Sequence, residues 1–242
     1  MKKNIFLVVI FAILSSYAIA QTVNRGATKA DPTDVQGWYG ASFNTNLPHK
    51  WSVYLNYQTR FIDNSSYYNG SYITLGGSKK LNKHLEFMGD YRLALVRAGV
   101  YNRFTVGAEL SKKLKHLNLA FRFQLQNQLQ EFDDVSKPND QNGYWRTRFQ
   151  GKYAINKKWE AYASIEPIMK FGGNFLVDNI RNTIGCKYKI RKDLKLDVFY
   201  IYRPDYAKSY NRLFHIVGLN ADYTFKVKKQ KKKKQQQRDS SI

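Results

Sequence analysis

Residues 117–130 read Leu-Asn-Leu-Ala-Phe-Arg-Phe-Gln-Leu-Gln-Asn-Gln-Leu-Gln. Leu117, Leu119, Phe121, Phe123 and Leu125 fall on one side of an extended chain; Asn118, Arg122, Gln124 and Gln126 fall on the other. Successive side chains of a strand point to opposite faces, so this segment makes a strand with one apolar and one wet face. A helix would need apolar steps of three and four, not two. The same alternation recurs along the chain, in 35–47, 51–61, 71–79, 85–96, 103–112, 144–155, 159–171, 180–190, 194–203 and 212–226. Pro167 interrupts 159–171, and a bulge or strand end is expected there because proline cannot donate to a ladder.

The connections alternate in length. Four short ones hold three residues between two apolar ones: Leu47 to Trp51, Leu81 to Leu85, Ile155 to Trp159 and Ile190 to Leu194. A fifth, Leu114 to Leu117, is one residue shorter. The intervening stretches 62–70, 97–102, 131–143, 172–178 and 204–211 are generally longer and polar. Two-faced strands of roughly ten residues, joined alternately by short turns and long loops, are the pattern of an outer-membrane barrel whose short turns face the periplasm.

The amino terminus agrees with export. Lys2 and Lys3 precede an apolar core from Ile5 to Leu14, and Ala18-Ile19-Ala20 fits a signal cleavage site that leaves Gln21 first. That core is too short to span a bilayer, which needs about twenty residues. The chain therefore divides into a signal peptide (1–20), a flexible leader (21–34), a barrel (35–226) and a basic, disordered tail (227–242). The mean hydropathy of −0.56 is what strands with one polar face produce. A single cysteine, Cys186, lies on the apolar face of its segment and is read as a small hydrophobe.

The expected fold is all-β: one antiparallel transmembrane β-barrel of about ten to twelve strands, with short periplasmic turns and longer external loops. The alternation marks eleven segments. Bacterial single-chain barrels usually hold an even number, so either a strand is missed or split, or the leader crosses the wall or lumen.

Forty basic residues face 18 acidic ones, a net charge of +22. Part of the excess is in the tail from Lys226, and in an exported chain it points first to a simply solvated tail, then to lipid head groups or envelope polymers, rather than to nucleic acid. The rest falls on the wet parity of the strands. The candidate lumen charges are Arg60, Glu86, Asp90, Arg92, Glu109, Arg122, Arg146, Arg148, Lys152, Glu166, Arg181, Lys187, Arg203, Arg212 and Asp222, with Arg103, Glu160, Lys170, Lys195 and Asp197 on the same parity. Rings of Arg and Lys favour anions, whereas cross-strand ion pairs would fill a narrow interior. Trp51 and Trp159 follow short turns, and Tyr223 and Phe225 close the last segment. These are candidate interface aromatics, each with one dry and one wet side.

Catalysis is not expected. His49, His84 and His116 lie in short turns and His215 on apolar parity, with no serine–histidine–carboxylate spacing, metal-ligand cluster or phosphate loop. No cofactor or metal is expected. The expected partners are outer-membrane lipid, the barrel-assembly machinery, suggested by Gly218, Leu219, Ala221, Tyr223 and Phe225 in the last segment, and small anions.

Several local motifs carry a resemblance: Trp38-Tyr39-Gly40, Lys50-Trp51 with Arg60, Arg122, Tyr144-Trp145-Arg146-Thr147-Arg148, Glu166-Pro167 and Asn179-Ile180-Arg181-Asn182. Through them the chain, over about 35–226, resembles the domain of unknown function 2490 family, predicted outer-membrane barrels common in Bacteroidota. Relatives often carry Arg-x-Arg-x-Glu in the sixth strand; here Arg122 is followed by Gln124 and Gln126. The resemblance implies the barrel and no reaction. The reading is an outer-membrane barrel without a defined reaction, reached after cleavage near Ala20. It is either a narrow anion-favouring conduit or a structural barrel with a charge-lined lumen. The alternatives are a surface interaction protein using loops 62–70 and 131–143, and a soluble periplasmic lipocalin-like barrel with reversed facing.

Overall fold

The computed structural model describes residues 33–97, 99–132, 140–171, 176–206 and 212–226. Eleven strands follow one another: β1 (Thr33–Asn46), β2 (Trp51–Ile62), β3 (Tyr67–Lys80), β4 (Leu85–Val96), β5 (Gly99–Lys113), β6 (Leu117–Phe132), β7 (Asp140–Ala154), β8 (Trp159–Lys170), β9 (Leu176–Lys189), β10 (Leu194–Asp205) and β11 (Arg212–Lys226). Each pairs with its sequence neighbours, and β1 pairs with β11, closing a barrel.

The parity question is answered by that last seam. With an odd number of up-and-down strands, the first and last run the same way, so closure must be parallel. Strand β1 does pair parallel with β11, from Thr33 opposite Leu213 to Asn46 opposite Lys226, while all other ladders are antiparallel. The wall is complete without the leader, and no strand edge is left open. Residues 1–32 and 227–242, where the sequence leads one to expect a signal peptide, a leader and a basic tail, lie outside the described residues.

The short turns form where expected, by a repeated device. In Leu81–Leu85 and Ile155–Trp159 the first apolar residue donates its N–H to the carbonyl of the second, at 3.0 and 3.1 Å. The intervening asparagine closes each turn. Asn82 Oδ1 accepts from the N–H groups of His84 (2.7 Å) and Leu85 (2.8 Å), and Asn156 Oδ1 from those of Lys158 (2.8 Å) and Trp159 (3.0 Å). An asparagine side chain bonding backbone two residues on is the local chemistry of a tight turn. Leu47–Trp51 lacks that asparagine and reverses instead through His49 and Lys50 at φ 58° and 64°.

At the opposite end the strands run further than the alternation suggests. Residues 67–70 belong to β3, 99–102 to β5, 140–143 to β7 and 176–179 to β9, with Asn69 and Asp178 left without a ladder partner at bulges. Their Asn, Asp and Gly content reads as loop, but ladder pairing with an already placed neighbour overrides weak local propensity. Much of the 62–70 stretch is therefore strand, and residues 133–139 lie outside the described part. Pro167 does not end β8. The ladder to β7 lapses beside it, with no β8 partners for Thr147 and Arg148, and a bulge falls one residue later, between Ile168 and Met169. A second bulge lies between Arg60 and Phe61.

Facing is the decisive observation. Leu55, Leu75, Phe87, Phe104, Val106, Leu110, Phe149, Ile165, Ile184, Val198 and Val217 are all exposed on the outer surface. Arg60, Arg92, Arg122, Arg146, Arg148, Arg181 and Arg203 lie on the alternate, inner parity and interact across the axis with strands that are not their neighbours. A lipocalin-like barrel needs the reverse arrangement, so that alternative is set aside. Cys186 sits on the outer parity, opposite Ala161 and Val198.

Candidate functional site

An eleven-stranded barrel tilted by about 40° has a radius of about 11 Å to the strand backbones. Arginine arms from opposite walls span most of that distance, so the lumen's contents are set by which side chains meet. They meet differently in the two halves.

In the half nearer the short turns, cations sit on carboxylates. Arg122 donates to Glu109 through Nε (2.8 Å) and Nη2 (2.6 Å), and Arg148 Nη2 lies 3.6 Å from the same carboxylate. Lys152 interacts with Glu109 and Glu160. Across the lumen, Lys187 Nζ bridges Asp197 (3.1 Å) and Asp222 (3.3 Å). Tyr162 donates its hydroxyl to Asp197 at 3.0 Å, and Asn220 donates to Asp222 at 2.5 Å. Glu86 stands apart near the rim, bonded by Ser78 and 3.9 Å from Lys80.

Midway, Glu166 is buried and collects two cations. Arg146 Nη2 donates to it at 2.8 Å, and Arg181 Nη1 lies at 3.9 Å. Arg146 Nη1 also reaches Gln126 Oε1 at 3.1 Å. Glu166 becomes the hub of this layer because β7, β8 and β9 are consecutive neighbours and its parity faces inward.

Nearer the long loops the balance shifts. A cavity of about 290 Å³ is lined by Arg60, Arg92, Arg103 and Arg181, with Asp178 as its carboxylate. Arg60 is clamped between rings, its guanidinium 3.8 Å from the Trp38 centroid and 3.9 Å from that of Tyr72, and its Nε donates to Gln58 at 2.8 Å. Arg92 Nε donates to Thr74 Oγ1 at 2.8 Å. Asp90 lies close to Tyr54, Arg92 and Arg103. Arg203 and Arg212 both lie over Phe214, at 4.1 and 5.7 Å.

The interior also holds groups the alternation did not single out. Trp38, Ile201, Phe214 and Ile216 form a buried cluster on β1, β10 and β11, with Phe199 packed against it. Its sequence signal was present: Phe199 and Ile201 lie between Val198, Tyr200 and Tyr202, so β10 is apolar on both faces. A two-sided apolar strand is one buried on both sides. Three inner aromatic rings fold over a glycine directly opposite on the next strand: Tyr54 on Gly76, Tyr162 on Gly185 and Phe199 on Gly218. The missing side chain gives each ring room to lie against the wall instead of across the lumen.

The aromatics near the short turns lie on the outer face. Trp51, Trp159 and Phe225 are exposed. Trp159 packs on Tyr188 (4.6 Å), Tyr223 meets Phe225 edge-on (4.8 Å), and Lys79 lies 4.9 Å above Trp51. The histidines are scattered: His84 Nδ1 is 2.9 Å from the Ser111 carbonyl, and His215 Nδ1 is 2.6 Å from the Tyr200 hydroxyl on the outer wall. A concavity of about 1020 Å³ lies on the outer, apolar side, where Leu119, Phe121, Phe149 and Ile184 contribute. The charged groups described above point away from it.

Among solved structures, the chain is similar to the NanC porin (14% identity, TM-score 0.48, covering 70% of this chain and 86% of that one) and the KdgM porin (12%, 0.44, 67% and 81%). It is also similar to OccK8 (OprE) of Pseudomonas aeruginosa (10%, 0.33, 65% and 54%). No curated protein matches the sequence. The family model described as protein of unknown function (DUF2490) matches residues 35–213, which takes in the described strands from β1 to the start of β11, and the chain belongs to that family.

Proposed function

We propose that this chain is an outer-membrane β-barrel that forms a narrow, anion-favouring conduit and catalyses no reaction. One observation carries the reading: the apolar faces of the strands look outward while a cavity in the lumen is lined by four guanidiniums and one carboxylate. The outward surface suits hydrocarbon, the wall satisfies its own backbone groups, and a concentrated positive interior attracts anions. In this reading the short turns face the periplasm and the long loops face outside.

The paired carboxylates of the short-turn half and the cluster around Ile216 favour a second reading, a structural barrel with a filled lumen. Planar-bilayer recording of the refolded protein across a potassium chloride gradient separates the two. The conduit gives discrete conductance steps and a reversal potential of the sign set by chloride. A bare-bilayer baseline, or a reversal potential of the opposite sign, refutes it. Retention of the protein in envelopes after an alkaline carbonate wash tests the location.

A further inference from the structure

We infer that the lumen cavity bounded by Arg60, Arg92, Arg103 and Arg181 is a binding site for a small solute carrying a phosphate or similar oxyanion group. This deepens the conduit reading by giving the lumen a place where an anion resides. The site itself does not require that the lumen conduct.

The first argument is charge. Arg60, Arg92, Arg103, Arg146, Arg181 and Arg203 lie close enough to feel one another, while the carboxylates among them are Asp90, Glu166 and Asp178, with Asp34 and Asp205 beside Arg203. The cluster therefore keeps a net positive charge. Elsewhere in the lumen the arrangement differs, for Arg122 and Arg148 share Glu109, and Lys187 has both Asp197 and Asp222.

The second argument is hydrogen bonding. Among the described residues, the Nε atoms of Arg103 and Arg181 are buried without a hydrogen-bond partner, as are those of Arg146, Arg148 and Arg203. A buried donor left unsatisfied is costly, and a guanidinium fork is matched by phosphate or carboxylate oxygens. The third is rigidity. Arg60 is held between Trp38 and Tyr72, and Arg92 is held by Thr74. Donors fixed in advance lose little freedom when a ligand arrives. The volume, about 290 Å³, is at the small end of ligand pockets, which suits a small anionic solute and not a polymer segment.

The test uses the full barrel in detergent micelles, with inorganic phosphate titrated against potassium chloride at constant ionic strength. Trp38 reports on the site because it stacks on Arg60, whereas Trp51, Trp145 and Trp159 lie on the outer parity. A saturable change in tryptophan emission that is lost in Trp38→Phe is expected, with calorimetry as the second measurement. Arg103→Gln should weaken binding by about tenfold or more, Arg103→Lys by less, and Lys79→Gln not at all. Glycerol 3-phosphate binding more tightly than phosphate identifies an esterified ligand, and equal binding identifies the free ion; both support the site.

A phosphate response equal to that of chloride overturns the proposal, as does unchanged affinity in a folded Arg103→Gln barrel. If that variant does not fold, calorimetry on the unmodified barrel decides by the same phosphate-against-chloride comparison. Phosphate binding without conductance would remove the conduit alone; anion-selective conductance without saturable binding would remove the site alone.

Discussion

Glu166→Gln tests whether the lumen is held by electrostatics as the geometry implies. The carboxylate is 7% exposed and has Arg146 at 2.8 Å and Arg181 at 3.9 Å. At an effective dielectric of about 20, those separations correspond to attractions of roughly 6 and roughly 4 kcal/mol. Desolvating the ions costs several kcal/mol each, so the net pair is worth much less than the attraction. Removing one partner leaves two arginines facing each other around a neutral amide, and such losses run at about 3–5 kcal/mol. Arg146 keeps its bond to Gln126, which places the expected loss near the lower bound, about 3 kcal/mol. Urea unfolding in lipid vesicles, followed by tryptophan emission, measures it. Glu166→Gln with Arg146→Gln should recover part of the loss, giving a coupling energy of about 1.5 kcal/mol or more in a double-mutant cycle. A single-variant loss under about 0.5 kcal/mol would show that the lumen is wet enough to screen the hub, and the argument would fail.

Gly218→Ala puts a methyl into the Phe199 ring, which is itself packed against the buried cluster. A destabilisation of about 1–3 kcal/mol is expected by urea unfolding. Gly89→Ala, whose nearest contact would be 3.5 Å away, should stay within about 0.5 kcal/mol. Leu75→Arg, on the outer wall, should cost about 2–4 kcal/mol in a bilayer if it lies near the midplane, and much less in short-chain micelles. In single-tryptophan variants, Trp51 and Trp159 should be quenched by lipids brominated near the head group. Trp38, buried on the lumen side, should not be quenched by bromolipid at any depth; bromolipid quenching of Trp38 would refute the assignment of faces.

The fold was legible because the alternation is a local signal. Trp51-Ser52-Val53-Tyr54-Leu55 states its two faces without reference to any other strand, and the turn at Asn82 or Asn156 is made by residues within reach of one another. Strand ends at Tyr67 and Asp140 were not legible, since those polar residues extend only because a neighbouring strand offers its ladder. Parity shows that Glu166 and Arg146 face inward. It does not show that they meet, because the contact is diagonal between strands whose register depends on the intervening turn.

Sequence alone determined the existence of the eleven strands, the short turns and the two-faced character of the wall, since each follows from neighbours within a few residues. Tertiary structure decided the parallel seam between β1 and β11 and the aromatic clamp on Arg60. It also decided the division of the lumen into a paired half and a half with surplus guanidiniums. Those features join residues from distant parts of the chain, and only closure of the wall brings them to one axis.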